Sequence, residues 1–136
     1  FAIALAQARP GLVTSLVLQN PIGLSSHNRA ALDHEFDVWA KEAGGWPEVD
    51  PALLPGFRQR MFGNDFLFSV SREFVRHCTI PAFLMPGDDL VHPDVVSAEL
   101  EEMPDVTVLY PWKGVERRDD AMRRVREFLL ANTPKR

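Results

Sequence analysis

The sequence predicts an α/β fold, a three-layer, doubly wound and mostly parallel sheet with an inserted helical segment. Three observations lead there. Short runs rich in β-branched and apolar residues, V-T-S-L-V-L-Q from Val13, I-P-A-F-L-M from Ile80 and V-T-V-L-Y from Val106, read as buried strands. The runs alternate with helical patterns instead of hairpin turns, and strands joined by helical crossovers pair in parallel. Between the first and second runs lies a long stretch with helical periodicity and no convincing strand. The expected division is therefore 1–23 as a helix and strand of the α/β unit, 24–77 as the helical insertion, and 78–136 as the closing strands and helices.

Taken in order, Phe1 to Ala8 is alanine-rich and helical, and Arg9-Pro10-Gly11 stops it because proline disfavours helix at the residue before it. The chain opens with neither an initiator methionine nor an N-cap, so the expectation is a fragment whose functional groups extend upstream of Phe1. Val13 to Gln19 is the first strand, closed by the turn Asn20-Pro21-Ile22-Gly23. In the insertion, Leu32, Phe36, Trp39, Ala40 and Ala43 share one helical face, and Gly44-Gly45 ends that helix. Pro47, Pro51 and Pro55 break up the next region before a helix at Phe57 to Phe62. A third helix is expected over Asp65 to Arg76, with Phe66, Val70 and Phe74 on one face. The second strand is Ile80 to Met85, followed by a helix over Pro93 to Met103 with proline at its first position. After the third strand, Val106 to Tyr110, the last helix spans Glu116 to Ala131. It sets Ala121, Met122, Val125, Phe128 and Leu129 against arginines balanced by Glu116, Asp119, Asp120 and Glu127.

Charge and cysteine content narrow the partners. A net charge of -4 offers no basic face for nucleic acid or anionic membrane. No apolar run approaches the ~20 residues that span a bilayer. The expected partner is a small-molecule substrate, with no nucleic acid and no membrane. Cys78 is the only cysteine, so there is no intrachain disulfide, and a reducing, cytoplasmic setting is the default expectation. No zinc-like spacing, G-x-x-x-x-G-K-[ST] or G-x-G-x-x-G occurs, so no metal and no cofactor are expected, and a dinucleotide-binding reading is disfavoured.

In such sheets ligands bind beyond the carboxyl ends of the strands. Two turns fall there, Gln19 to Gly23 and Pro86 to Pro93. In M-P-G-D-D-L-V-H-P, Gly87-Asp88-Asp89 can present a carboxylate that orients a histidine, or both aspartates can simply form the turn and cap the next helix. His92 can act as a general base or be a solvent-facing residue that bonds Asp89. His27, His34 and His77 read as structural or exposed. The Asn20 amide can contact a ligand, although an Asn-Pro turn requires none. Trp39, Trp46 and Phe57, Phe62, Phe66, Phe68 and Phe74 can line an apolar pocket or serve as packing of the helical layer.

The run A-L-A-Q-A-R-P-G-L-V-T-S-L-V-L-Q-N-P, the helical insertion, I-P-A-F-L-M-P-G-D-D-L-V-H-P and the closing strand with its amphipathic helix together resemble the C-terminal half of the α/β-hydrolase fold, over nearly all of the chain. The resemblance implies that the insertion is a lid and that the acid falls on Asp89, counting back from Pro93, in preference to Asp88. It also implies that the nucleophile, usually serine in G-x-S-x-G, and the oxyanion-hole donors precede Phe1. The family's base belongs to the loop after the last strand. Here that loop, Tyr110-Pro111-Trp112-Lys113-Gly114-Val115-Glu116, contains no histidine, and none follows His92. Three accounts are open: His92 serves as base, the fold is kept while hydrolysis is lost, or an upstream histidine serves.

The expected function is hydrolysis of an ester or related acyl bond in a mostly apolar small molecule, with Asp89 and His92 catalytic and Asn20, Trp39 and Trp112 contacting substrate. The alternative is a noncatalytic homologue that binds a small molecule or protein, with Trp112 and Lys113 in the space the histidine left. Loss of one member of a catalytic set removes rate without removing the pocket.

Overall fold

Three short parallel strands carry the fold. In this computed structural model, which describes residues 1–63, 66–67 and 70–134, β1 (Leu16–Gln19), β2 (Ala82–Met85) and β3 (Val106–Val108) pair in the order β1-β2-β3. Leu16 stands opposite Ala82, and Ala82 opposite Val106. All of β2 is buried, as a central strand covered on both faces should be, whereas β3 is largely exposed.

Each strand is shorter than its apolar run, because a strand exists only where the ladder has donors. Pro81 has no N–H, so its contribution is limited to its carbonyl, which accepts from Leu16 N at 2.8 Å and starts the β1–β2 ladder. At the far end Leu109 N reaches Leu84 O at 2.8 Å, and the chain then turns through Tyr110–Pro111, a cis peptide. Val13 lies before the first rung, after a 3-10 turn at Pro10–Leu12.

Among the described residues six α-helices accompany the sheet: α1 (Ala2–Ala8), α2 (Arg29–Ala43), α3 (Leu54–Phe62), α4 (Arg72–His77), α5 (Asp94–Leu100) and α6 (Arg118–Ala131). Leu16, Leu18, Ala82 and Leu84 on one face of the sheet join a core with Ile3 and Ala6 of α1, Val75 of α4, and Val96 and Leu100 of α5. Phe83 and Met85 on the opposite face pack with Ala121, Val125 and Phe128 of α6. This division follows the period-2 alternation of strand side chains. Burying a Leu or Val side chain here contributes roughly 2 kcal/mol. The chain is thus a mixed α/β structure with helices against both faces of a three-stranded parallel sheet.

Several expectations need correction. Phe66, Leu67 and Val70 are not helical: Leu24 N takes the Phe66 carbonyl at 2.7 Å, and Val70 N takes that of Leu67 at 2.6 Å, closing an isolated antiparallel bridge. A tertiary hydrogen bond overrides the helical spacing there, and α4 starts only where Ser71 caps it by accepting from Phe74 N at 3.2 Å. Phe66 and Val70 are buried nonetheless. Asp65, the expected first residue of that helix, and Phe68 lie outside the described residues.

α5 is also shorter than expected. Pro93 is its N-cap instead of its first residue, and Glu102 and Met103 take 3-10-like bonds to Glu99 and Leu100 before Pro104. On α6, Met122 and Leu129 do not join the core but stand exposed. The arginine face of α6 is solvated and partly paired, Arg123 with Asp120 and Glu127, and Arg124 with Asp120; such exposed pairs add little stability. Among the described residues no helix is long and apolar enough to cross a membrane.

Candidate functional site

Both turns expected to matter leave the sheet at the carboxyl ends of adjacent strands. They are tied together by a residue that sequence reasoning missed. Asn28 has no exposed surface, and its Nδ2 donates to Gly23 O at 2.8 Å in the first turn and to Leu90 O at 3.0 Å in the second. Its Oδ1 accepts from Ser25 N at 2.7 Å and Ser25 Oγ at 3.1 Å. Its place just before α2 signals an ordinary N-cap, yet it makes no side-chain cap bond. Only the fold brings Leu90 to it.

The second turn is compact. The hydroxyl of buried Ser97 accepts from Gly87 N at 2.9 Å. A Cβ on Gly87 would lie 2.3 Å from the His92 carbonyl oxygen, so only glycine lets the turn close on itself. Across that closure Asp89 Oδ1 accepts from Val91 N at 3.0 Å and His92 N at 2.9 Å. His92 Nδ1 lies 2.8 Å and 3.0 Å from the two Asp89 carboxylate oxygens. A carboxylate only accepts, so Nδ1 carries the proton in this contact and Nε2 of the neutral ring is the free acceptor. Donation first from the His92 ring and then from its backbone N–H holds the Asp89 carboxyl below the ordinary value of 3.8. The side chains are 49% and 30% exposed for Asp89 and His92, so the pair is accessible to solvent.

The loop after β3 closes over this turn. Trp112 Nε1 donates to Pro86 O at 2.9 Å, and the Lys113 ammonium pairs with Asp88. Asp88 and Asp89 therefore play different parts, one tied to the neighbouring loop and the other to its own turn.

Asn20 and Trp112 line one cavity of about 600 Å³, between the ends of β1 and β2 and the start of α6. Asn20 has a φ of 44°, in the left-handed region that asparagine tolerates better than most residues. Its Oδ1 is buried without a partner among the described residues. A smaller cavity of about 280 Å³, also lined by Asn20, runs beside Phe1, Ile3, Leu18, Met61 and Leu67. Asp89 and His92 line neither cavity. Trp39 lies apart from both, in an aromatic cluster of α2 and α3, with ring centroids 5.4 Å from Phe36 and 5.6 Å from Phe57. The five expected site residues thus fall into three groups: a carboxylate–imidazole pair, a cavity with Asn20 and Trp112, and a packed aromatic cluster with Trp39. His27, His34 and His77 are exposed, and His77 Nδ1 lies 2.8 Å from the Glu73 carbonyl. No cluster of metal-ligating side chains occurs among the described residues.

Comparison with protein-family models, with curated proteins and with solved structures finds no match to this chain.

Proposed function

We propose that the chain is the C-terminal part of an α/β-hydrolase-like protein that cleaves an ester or related acyl bond in a mostly apolar small molecule. In this reading the sheet is the end of a doubly wound, three-layer fold, and residues 24–77 form its helical lid. Asp89 orients and stabilises the imidazolium of His92. His92 Nε2 takes the proton of a nucleophile supplied from a segment before Phe1.

The observation that carries this reading is the Asp89–His92 contact at 2.8 Å beyond the carboxyl end of β2, which leaves one imidazole nitrogen free for proton transfer. The test uses a protein that joins this chain to its proposed upstream half, assayed on a short-chain p-nitrophenyl ester. His92→Ala should lower kcat by about a hundredfold or more at a nearly unchanged Tm, the usual scale for a general base. An unaltered kcat would remove His92 from the mechanism.

A second reading is favoured by a specific observation. Both oxygens of Asp89 are engaged within its own turn, and Trp112 and Lys113, from the loop after β3, bind Pro86 and Asp88 in the same turn. In that reading the protein is a noncatalytic homologue and the cavity binds its ligand without cleaving it. Loss of ligand binding on Trp112→Ala, with no turnover in the unsubstituted protein, is its signature.

A further inference from the structure

The cavity lined by Asn20 and Trp112 has a chemistry that specifies its occupant. Its walls are largely apolar, with Val17 and Met85 from the strands and Met122 from α6, beside the polar side chains of Gln19, Asn20, Lys113 and Arg118. Met122 belongs to the expected core face of α6 yet is 63% exposed, so a large apolar side chain stands uncovered where the cavity opens. A volume of about 600 Å³ suits a small organic molecule.

Arg118 and Asn20 each bring to this lining a polar group without a partner among the described residues. Arg118, at the first turn of α6, makes no ion pair among the described residues, while its neighbours Lys113, Arg117, Arg123 and Arg124 are each paired with a carboxylate. The N-terminal end of α6 adds the positive end of a helix dipole to that cation. The second group is Asn20, whose buried side-chain oxygen accepts no hydrogen bond among the described residues. Leaving such an acceptor unsatisfied costs free energy that a ligand donor would recover.

We propose that this cavity binds an apolar monocarboxylate that carries one hydrogen-bond donor. Its carboxylate pairs with Arg118, its chain lies against Met85, Trp112 and Met122, and its hydroxyl or N–H donates to Asn20 Oδ1. One unpaired guanidinium matches one negative charge in bidentate geometry, and the apolar walls disfavour the second charge of a phosphate monoester. The inference rests on the reading that Asn20 and Trp112 contact a small molecule, and it is independent of hydrolysis, since neither Asp89 nor His92 lines the cavity.

The test is calorimetric titration of the full chain with decanoate, ω-hydroxydecanoate and decan-1-ol, none of which can be hydrolysed. Decanoate should bind more tightly than decan-1-ol, and Arg118→Gln should weaken decanoate about tenfold, the scale of a charge-assisted contact discounted for exposure, while leaving decan-1-ol unchanged. Asn20→Gly, which keeps the left-handed backbone, should remove the advantage of ω-hydroxydecanoate over decanoate. Equal affinity for acid and alcohol, or a decanoate affinity indifferent to Arg118→Gln, overturns the proposal, as does absence of binding to a chain shown by circular dichroism to be folded. His92→Ala should leave all three affinities unchanged, so failure of the hydrolytic reading and failure of this one are read from different variants.

Discussion

Replacing Asn28 by alanine tests the tie between the two turns. The side chain has no exposed surface and makes four hydrogen bonds, to Gly23 O, Leu90 O, Ser25 N and Ser25 Oγ. Alanine removes all four and leaves a buried carbonyl at Gly23 and a part-buried amide at Ser25 without partners. A buried polar group left unsatisfied costs about 1–3 kcal/mol. Leu90 is exposed, so water can replace Asn28 at its carbonyl, and the Ser25 hydroxyl can rotate to another acceptor. The net loss should be about 3 kcal/mol, or roughly 10 °C in Tm for a chain of this size.

Urea titration followed by circular dichroism measures the loss, and hydrogen exchange locates it. The Ser25 amide should lose protection against exchange in the variant. Asn28→Asp keeps oxygens for Ser25 but removes both donors and buries a charge, so it should be at least as damaging. A loss below about 1 kcal/mol with an unchanged Ser25 amide would refute the reasoning, since every bond invoked would then be dispensable. A stable Asn28→Asp would specifically refute the tie to Gly23 and Leu90.

Two further outcomes follow from the second turn. Gly87→Ala places a methyl group 2.3 Å from the His92 carbonyl, a backbone atom that cannot swing away. The turn must open, costing about 1–3 kcal/mol as other overpacked sites do, and the Asp89–His92 contact should be lost; an unchanged melting curve would show that the turn has room to spare. Asp89 has a lowered carboxyl pKa because the His92 ring and then the His92 backbone N–H donate to it. Its contribution to stability is therefore full above the unfolded value and lost as pH falls through the folded one. Carbon-detected NMR titration should place Asp89 below 3.8 and move it upward in His92→Ala, and the Tm gap between the unsubstituted chain and Asp89→Ala should close as pH falls into that acid range. A normal Asp89 titration, or one blind to His92→Ala, would discard the hydrogen-bond account.

The sheet was legible because its strands lie in short runs rich in apolar and β-branched residues, and Val13–Gln19, Ile80–Met85 and Val106–Tyr110 each contain one, although only β2 is buried throughout. Their ends were less legible, since proline at 81 trims a ladder whose partner strand is remote in sequence. The Asp89–His92 contact was readable because its partners are three residues apart. Asn28 was not, because its decisive acceptor, Leu90, is sixty-two residues away. Arg118 was hidden for a different reason. In sequence it belongs to a run of arginines balanced by acids, and the local pattern gives no sign that its neighbours find carboxylates and it does not. Phe66 shows the same limit in backbone form, its place in a helical spacing overruled by a hydrogen bond to Leu24.

The sheet register also bears on how readily this chain can change. Ala82 pairs forward with Val106 through a short connection and back with Leu16 through one nearly three times longer. Loop-closure entropy grows only with the logarithm of length, so the longer connection costs about 0.9 kcal/mol more than the shorter. Helices between β1 and β2 can thus be lengthened, exchanged or pared back over evolutionary time at little cost to strand pairing. The restriction on such change lies at the two ends of the segment: Asn28 must still reach Gly23 and Leu90, and Phe66, Val70 and Val75 must still fill the core, so the freedom to vary belongs to the stretch between them.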